Sequence, residues 1–469
     1  MEKLQFLQGC RLDCQEGKQM NENTQKRQKP LYRGEPYHAK NWKKIKLEHT
    51  IDSSLNKIPP LKRFVQKITQ NYRLINYQRQ SKRLMNDMGC KIDIDKIYWI
   101  NPKQIYYTSI KEFDVLKDKG KIIDGDWDLL ERPFEKISVF VAFQERFVEG
   151  KSWNTTAYYH RILKKIEEGE YLWGCKNKSD LDKRFKNLEQ VFQNIKNNGY
   201  KLQPELFTEK KIHNSIKFND EITANIGRHG DLLFNNGAHR LSIAKLLNVE
   251  KIPIKITVRH PEWMNFRKQI LLYAQDQKHR KIYQPICHID LQDVPSFFDK
   301  EIDRFELIRR NLSAKTGRLL DIGSHWGYFC HRFEDIGFEC YAVENDHVNI
   351  YFLEKLKRAQ NKNFTIIPKS IFECVEIKKT SFDVVLGLNV FHHFIKNEED
   401  YKKLVTFLKN LQVKELYFQP HCPSEPQMEN GYKNYSEEEF VNFILKHLQL
   451  KNVKYIGKTE HERKMYKIY

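Results

Sequence analysis

The chain has 469 residues, too many for a single hydrophobic core, so we expect two to four domains. Its hydrophobic fraction of 40%, together with 30% charged residues, describes a globular chain and excludes an intrinsically disordered one. The formal net charge is +20, and residues 1–90 supply more than half of it, with 19 Lys and Arg against eight Asp and Glu.

A basic region of this kind can attract nucleic acid, an acidic membrane surface or an anionic metabolite. Alternatively, its lysines only make the surface of the protein soluble.

The nine cysteines are scattered and never form a CxxC pair, so we predict neither a disulfide framework nor a metal site. The N-terminus lacks the apolar core of a signal peptide, and no stretch approaches the 18 apolar residues of a spanning helix. We therefore expect a cytoplasmic protein without a transmembrane segment.

Residues 1–60 are poor in apolar side chains and rich in Gln, Asn, Lys and Pro, which predicts a basic flexible arm. A helical period starts at Leu61, where apolar residues recur at steps of three and four between Lys and Arg. This basic amphipathic helix either docks on its own protein or makes a peripheral contact with an anionic membrane surface.

Residues 61–200 read as a mixed α/β or helical module. The segment contains a Gly-flanked GDWD turn with Asp126, Trp127 and Asp128. The indole anchors such a turn, and the two carboxylates are either free for function or part of the local structure.

Residues 201–270 form the next predicted module. The strand ITANI, the turn RHGD and the strand LLF precede the turn NNGAH, the helix RLSIAKLLN and the strand IPIKITV. A helix N-terminus beside a guanidinium favours an anion, so this unit suits phosphate binding.

This run resembles the ParB/sulfiredoxin-like fold, an α+β module with a Gly-x-His-Arg turn and an Ile-Pro strand. The resemblance implies nucleotide-phosphate contacts from Gly237, His239 and Arg240. Asn236 replaces an acid found in many relatives, which argues against metal-assisted phosphoryl chemistry. The competing interpretation is a helix-capping turn in which Arg240 makes a structural ion pair.

Residues 271–310 are predicted to form a helical connector, and the last domain covers residues 311–469. In GRLLDIGSHWGYF a strand ends at Asp321, a turn carries Gly323 and Gly327, and a helix starts near Tyr328. Glycines let the backbone approach a ligand closely, and amides at a helix start face its polar atoms.

The second strand of this domain ends at Glu344, seventeen residues after Gly327, where a carboxylate can take both ribose hydroxyls. Further strands, NFTIIPKS and SFDVVLGLNVFHHF, continue the βαβ alternation. The pattern predicts an α/β fold with a doubly wound, Rossmann-like parallel sheet and a ligand at the strand carboxyl ends.

These elements, with a closing hairpin of VKYIGKT and RKMYKIY, resemble class I S-adenosylmethionine (SAM) methyltransferases over about the last 155 residues. The resemblance implies SAM as cofactor. It also implies a set of cofactor contacts: Asp321, Gly323 and Gly327 at the methionine part, Glu344 at the ribose, Ser370 and Ile371 at the adenine, and Asn389 at the face of the methyl group. His325 stands where many members have a third glycine, and Ser370 replaces their adenine-facing acid.

His392 and His393 follow the fourth strand and are the candidate catalytic bases for a hydroxyl acceptor. The competing interpretation is a structural FHHF turn, in which both histidines occur in many relatives. We therefore expect methylation, most simply O-methylation, of a small-molecule or glycan-linked acceptor, with a nucleotide or phosphorylated partner on the ParB-like module.

Two other functions stay open at this point. The first is a phosphotransferase or nucleotide switch centred on the ParB-like module. The second is a DNA-associated binding protein, although the sequence shows no helix-turn-helix with a basic recognition helix after that module.

Overall fold

The computed structural model describes residues 93–170, 172–202, 221–277, 279–298, 304–425, 428–459 and 463–469, with six positions between 65 and 76. The predicted arm over residues 1–60 and most of the basic helix predicted from Leu61 lie outside the described residues. Within the described part of the chain, no helix has the length and hydropathy needed to cross a membrane.

The first module is built on a six-stranded mixed sheet. Its strands are β1 (Tyr98–Ile100), β2 (Tyr107–Thr108), β3 (Lys121–Ile122), β4 (Ile222–Ile226), β5 (Leu232–Asn236) and β6 (Ile252–Arg259). The strand order is β1-β6-β4-β5-β2, and β3 pairs with β6. Strands β1 to β3 come from the predicted 61–200 module and pair with strands of the predicted 201–270 module, so the two segments share one sheet.

Five of the described helices belong to this module: α1 (Ser138–Phe147), α2 (Ala157–Glu167), α3 (Lys178–Asn198), α4 (Ala238–Leu246) and α5 (Pro261–Asp276). Helices α1 to α3 enclose an aromatic cluster that includes Phe143, Trp153 and Phe185. The hydroxyl of Thr156 accepts a hydrogen bond from the backbone N–H of Tyr159 in the first turn of α2. An N-cap of this kind stabilises a helix by about 1 kcal/mol. The predicted strand, turn, helix and strand from ITANI to IPIKITV are confirmed by β4, β5, α4 and β6.

The second module is built on a seven-stranded sheet. Its strands are β7 (Gly317–Ile322), β8 (Phe338–Val343), β9 (Thr365–Ile367), β10 (Phe382–Leu388), β11 (Val413–Gln419), β12 (Val453–Lys458) and β13 (Lys464–Ile468). Their order is β12-β13-β11-β10-β7-β8-β9. All pairs from β11 to β9 are parallel, and β13 runs antiparallel to both of its neighbours.

Helices cover both faces of this sheet: α6 (Arg304–Arg309), α7 (Tyr328–Asp335), α8 (His347–Ala359), α9 (Val375–Lys378), α10 (Glu398–Asn410) and α11 (Glu437–His447). Consecutive strand residues point to opposite faces, so Leu319 packs in the core with Phe329 of α7, whereas Leu320 packs with Phe407 of α10. The doubly wound parallel sheet predicted from the sequence is confirmed. The order of strands reverses between β7 and β10, where such sheets place their ligands.

The two modules share one hydrophobic core. Trp263 and Phe266 of α5 lie in the same buried cluster as Trp326 and Phe352 of the second module. The ring centroids of Phe266 and Phe352 are 5.9 Å apart, and those of Trp326 and Phe352 are 4.5 Å apart. The modules are therefore packed together through apolar side chains and do not meet only at a polar surface.

A buried ion pair fixes the middle of the connector on the first sheet. Arg259 of β6 and Asp290 have side chains only 2% exposed, with Nη2 and Oδ1 2.6 Å apart. Burial acts to raise the pKa of Asp290, but the charge and hydrogen bonds of Arg259 outweigh it and lower that pKa. Trp263 Nε1 also donates to Asp290 Oδ2 at 2.9 Å. Breaking such a pair costs about 3–5 kcal/mol, so this part of the connector is held firmly.

Candidate cofactor and acceptor site

The turn between β7 and α7 requires glycine at two positions. Gly323 has a φ of 70°, and a Cβ there would lie 3.0 Å from Val390 Cγ2. Gly327 has a φ of 77° and begins α7, where a Cβ would lie 2.5 Å from Leu353 Cδ1. His325, which replaces the third glycine, adopts a φ of 54° and so keeps the left-handed backbone that a glycine supplies readily.

Asp321 lies under this turn at the carboxyl end of β7 and is 3% exposed. Burial raises its pKa to about 7, because the charge of Arg304 opposes the effect only in part and Glu344 adds to it. A carboxyl group with this pKa gains a proton easily and loses it when a cation arrives. It suits the neighbourhood of a positively charged ligand.

Glu344 follows β8 and points its carboxylate at the same turn. The carboxylate accepts the backbone N–H of His325 at 2.9 Å, of Asn345 at 3.1 Å and of Asp346 at 2.9 Å. The side chain is 6% exposed. The structure thus brings the predicted ribose-binding acid against the predicted glycine turn, and backbone amides fix its orientation.

Ser370 and Ile371 open a short 3-10 turn after β9, and Ile371 is buried. Val343 and Ile367 are partners in the parallel β8–β9 register, so this turn lies beside Glu344 at the same sheet edge. The predicted adenine contacts therefore lie next to the predicted ribose contact, in the order that a nucleoside needs.

Asn389 follows β10 and belongs to a polar network that the sequence did not reveal. Its Nδ2 donates to Gln419 Oε1 at 2.9 Å, and Arg463 Nη1 donates to its Oδ1 at 2.6 Å. Gln419 Nε2 donates a hydrogen bond to the hydroxyl of Thr459, and Arg463 forms an ion pair with Glu425. Gln419 could have been noticed in the sequence, because it is a polar residue at the end of the apolar strand β11. No local pattern pointed to Arg463, because its partner is 74 residues away.

Three histidines lie beyond the carboxyl ends of β10 and β11. The ring centroids of His392 and His393 are 4.1 Å apart, and those of His392 and His421 are 5.6 Å apart. Burial, and then the charge of His393, holds the pKa of His392 well below its usual range, and burial also lowers the pKa of His421. His393 is half-buried, whereas the other two are almost fully buried. The buried imidazoles are neutral at pH 7.

The predicted phosphate contacts of the first module lie in an aromatic recess. His239 accepts or donates a hydrogen bond with Tyr158 Oη at 3.0 Å, and its ring centroid is 5.4 Å from that of Trp173. Burial, and then the charges of Arg184 and Arg240, lowers the pKa of His239 to about 4.

Gly237 precedes α4 with a φ of 95°, and a Cβ there would lie 3.1 Å from Ile222 Cα. Arg240 Nη1 lies 3.8 Å from Glu221 Oε2, which agrees with the interpretation that Arg240 makes a structural ion pair. The structure therefore keeps all three predicted residues at one helix start.

The carboxylates of the GDWD turn have a structural role. Asp128 and Asp126 both pair with Arg228, at 2.7 Å and 2.8 Å from its Nη2. Trp127 Nε1 donates to Ile123 O at 2.9 Å, so the indole does anchor the turn. Arg228 belongs to the RHGD turn, about a hundred residues away, and a sequence pattern cannot reveal such a partner.

Comparison with known protein families finds a match within the second module. A family model described as a methyltransferase domain matches residues 320–411. No curated protein matches the sequence. The matched residues contain the glycine turn, Glu344 and the strand that leads to the histidines. This part of the chain is therefore similar to a methyltransferase domain.

Several solved structures are also similar to the chain. The bifunctional kinase-methyltransferase WbdD is 19% identical over 42% of this chain and 45% of that one, with a TM-score of 0.34. The N-methyltransferase NodS from Bradyrhizobium japonicum is 12% identical over 36% of this chain and 96% of that one, with a TM-score of 0.30. The PH0226 protein from Pyrococcus horikoshii is 16% identical over 36% and 88%, with a TM-score of 0.29. The chain spans less than half of the length of WbdD.

Residues 320–411 are similar to a methyltransferase domain, and domains of this kind use SAM as their cofactor. The residues present fit that cofactor: two glycines leave room along the turn, a buried carboxylate stands at the predicted ribose position, and a buried carboxyl group with a raised pKa lies below the turn. When bound, SAM supplies an electrophilic methyl group. The residues of the protein would then orient the cofactor and the acceptor for transfer.

Proposed function

We propose that the protein transfers the methyl group of SAM to a hydroxyl oxygen of a small-molecule or glycan-linked acceptor. The observation that carries this proposal is the group of neutral histidines beyond β10 and β11. A hydroxyl group that attacks the methyl carbon must lose its proton. A neutral imidazole is the side chain best suited to accept that proton near pH 7.

Among the three histidines, His421 has the best-defined orientation. Asn434 Nδ2 donates to Pro423 O at 3.0 Å, so its Oδ1 is an acceptor and receives the N–H of His421 Nε2 at 3.1 Å. This leaves the lone pair of His421 on Nδ1, which has no hydrogen-bond partner among the described residues. We assign the proton acceptor to His421, with His392 and His393 beside it.

We expect His421→Ala to lower kcat by about 100-fold or more, since general base catalysis typically contributes at least that much. The KM for SAM should stay unchanged, and added imidazole should restore part of the rate. The reactive form is the neutral imidazole, and burial lowers the pKa of His421. The wild-type rate should therefore fall in acid only at a lower pH than the ordinary pKa of a histidine would set, and rates measured across the acid range test this.

Transfer of a labelled methyl group from SAM to a panel of sugars and small hydroxylated compounds provides the assay. His160→Ala, a change at an exposed histidine of the first module, is the matched control and should leave the rate unchanged. Equal rates for His421→Ala and the wild type would remove His421 from this role. Methylation of nitrogen compounds alone would overturn the proposal of a hydroxyl acceptor.

We further propose that the first module binds a phosphate group, as part of a nucleotide or of a phosphorylated partner. The positive charges of Arg184 and Arg240 both lower the pKa of His239, which lies at the start of α4. Arg184 stacks on Trp173, 4.4 Å from the ring centroid, and its Nε is buried without a hydrogen-bond partner among the described residues. Two neighbouring guanidinium groups beside one helix start favour an anion. The comparisons give no support to a nucleotide or nucleic acid partner.

We expect Arg184→Gln to weaken binding of inorganic pyrophosphate or ATP by about 10- to 100-fold, the usual loss for a charged hydrogen bond. Titration calorimetry measures the affinity. Lys186→Gln removes the same charge from an exposed position on the same helix and should change the affinity little. Equal losses for the two variants would indicate general charge attraction and would contradict a built site.

A further inference from the structure

A closed ring of hydrogen bonds joins the ends of β10 and β11 to the hairpin of β12 and β13. Arg463 Nη1 donates to Asn389 Oδ1 at 2.6 Å, and Asn389 Nδ2 donates to Gln419 Oε1 at 2.9 Å. Gln419 Nε2 then donates to the hydroxyl of Thr459 at 2.6 Å, and that hydroxyl donates to the carbonyl oxygen of Arg463 at 3.3 Å. Asn389, Gln419 and Thr459 are buried, so water does not compete for these hydrogen bonds.

The guanidinium group of Arg463 determines the direction of this ring. A guanidinium group only donates hydrogen bonds, so the Asn389 atom that faces it must be the oxygen. The nitrogen of that amide must then face Gln419, and the same reasoning fixes the Gln419 amide and the hydroxyl of Thr459. In a ring without a donor-only group, both amides can turn over and the hydrogen bonds can run in either direction. Arg463 therefore orients the amide of Asn389.

The same guanidinium group holds the loop that follows β11. Its Nη2 forms an ion pair with Glu425, and the two side chains are only 16% and 15% exposed. The carboxylate of Glu425 also accepts the backbone N–H of Cys422 at 3.0 Å, and the backbone N–H of Glu425 donates to the carbonyl oxygen of Cys422 at 3.0 Å. This turn directly follows His421, so the ion pair fixes the segment that carries this histidine.

The ring and the ion pair lie beside the group of histidines. Asn389 comes three residues before His392, and Gln419 comes two residues before His421. The backbone N–H of Asn389 donates to the carbonyl oxygen of Gln419 at 3.2 Å, and the ring centroids of the two histidines are 5.6 Å apart. Arg463 therefore acts on both of the segments from which these histidines project.

We propose that Arg463 is the positioning residue of the acceptor site, which orients Asn389 through the hydrogen-bond ring and holds the loop of His421 through Glu425. A guanidinium group suits this role because its N–H groups lie in one fixed plane and serve several acceptors at once. The hairpin of β12 and β13 thereby becomes part of the acceptor site. This inference rests on the proposed role of His421, but its test needs no acceptor.

Charges of both signs act on His421. Burial is the largest cause of its lowered pKa, the hydrogen bond to Asn434 and the charge of Glu425 oppose it, and the charges of Arg463 and Lys396 add to it. Loss of the charge of Arg463 should therefore raise the pKa of His421, and loss of the charge of Glu425 should lower it. A merely structural role predicts the same direction for both changes, because both break the same ion pair. The remaining ring contacts of His421 are with His392 and Phe440.

The test is an NMR titration of the full chain with isotope-labelled histidine, in which His421→Asn identifies the resonance of His421. Arg463→Gln should raise the titration midpoint of His421 above that of the wild type. Glu425→Gln should lower it, or keep the imidazole neutral over the whole acid range in which the protein is folded. Arg463→Lys retains a positive, donor-only group and should give a midpoint close to that of the wild type.

Hydrogen exchange is the second readout. Arg463→Gln should speed exchange of the Cys422 and Glu425 backbone N–H groups by about tenfold or more, the effect of losing a charge-assisted hydrogen bond. Lys454→Gln removes the same charge from an exposed position of β12, is the matched control and should alter neither readout. Midpoints that move in the same direction in both glutamine variants, an unchanged midpoint in Arg463→Gln, or unchanged exchange would overturn the inference. Full activity of His421→Ala would instead contradict the proposed proton acceptor and would leave both readouts as they are.

Discussion

Replacement of Glu344 by alanine is expected to weaken SAM binding by about 100-fold or more. A carboxylate that accepts two ribose hydroxyls loses two charge-assisted hydrogen bonds, each worth about 1.5–3 kcal/mol. The change also leaves the backbone N–H groups of His325, Asn345 and Asp346 without their present acceptor. The glycine turn should therefore become less well ordered, and titration calorimetry with SAM measures the combined effect.

Two further variants separate the ribose contact from a loss of folding. Glu344→Gln keeps one acceptor oxygen and the shape of the side chain, so it should lose less affinity than the alanine variant. Glu339→Ala changes the same residue type at the other end of β8, where the side chain is 60% exposed, and should bind SAM normally. A Glu344→Ala protein that binds SAM as well as the wild type would remove this carboxylate from the cofactor site.

The cofactor half of the site could be predicted because its signals are local. Asp321, Gly323 and Gly327 lie within seven residues, and a strand before them and a helix after them fix their positions. Parallel strands that alternate with helices then bring Glu344 to the same sheet edge. Short-range periodicity and the handedness of βαβ units determine this geometry, so the sequence contains enough information.

The connections between distant segments could not be predicted in the same way. Asp128 gains its partner Arg228 only when the GDWD turn meets the RHGD turn. The orientation of His421 depends on Asn434, thirteen residues further along the chain. Arg463 donates to Asn389, 74 residues earlier in the chain, only once β13 pairs with β11. Tertiary packing decides these contacts.

Gly230→Ala is expected to destabilise both modules together, by roughly 2–5 kcal/mol. Gly230 has a φ of 94°, and a Cβ there would lie 2.5 Å from Trp263 Cζ3 and 2.6 Å from Ala359 Cβ. Left-handed strain contributes about 1 kcal/mol, and overpacking of a close-packed interface adds about 1–3 kcal/mol or more. Trp263 lies in the first module and Ala359 at the end of α8, so the clash forces apart the core that both modules share.

Gly169→Ala separates the clash from the backbone strain. Gly169 has the same φ of 94°, but a Cβ there would meet nothing within 4 Å. This control should therefore lose only the strain contribution, and the difference between the two variants measures the contact between the modules. Calorimetric unfolding of the wild type should show one transition, since a shared core couples the two sheets. Two separate transitions, of which Gly230→Ala lowers only one, would mean that the modules fold independently.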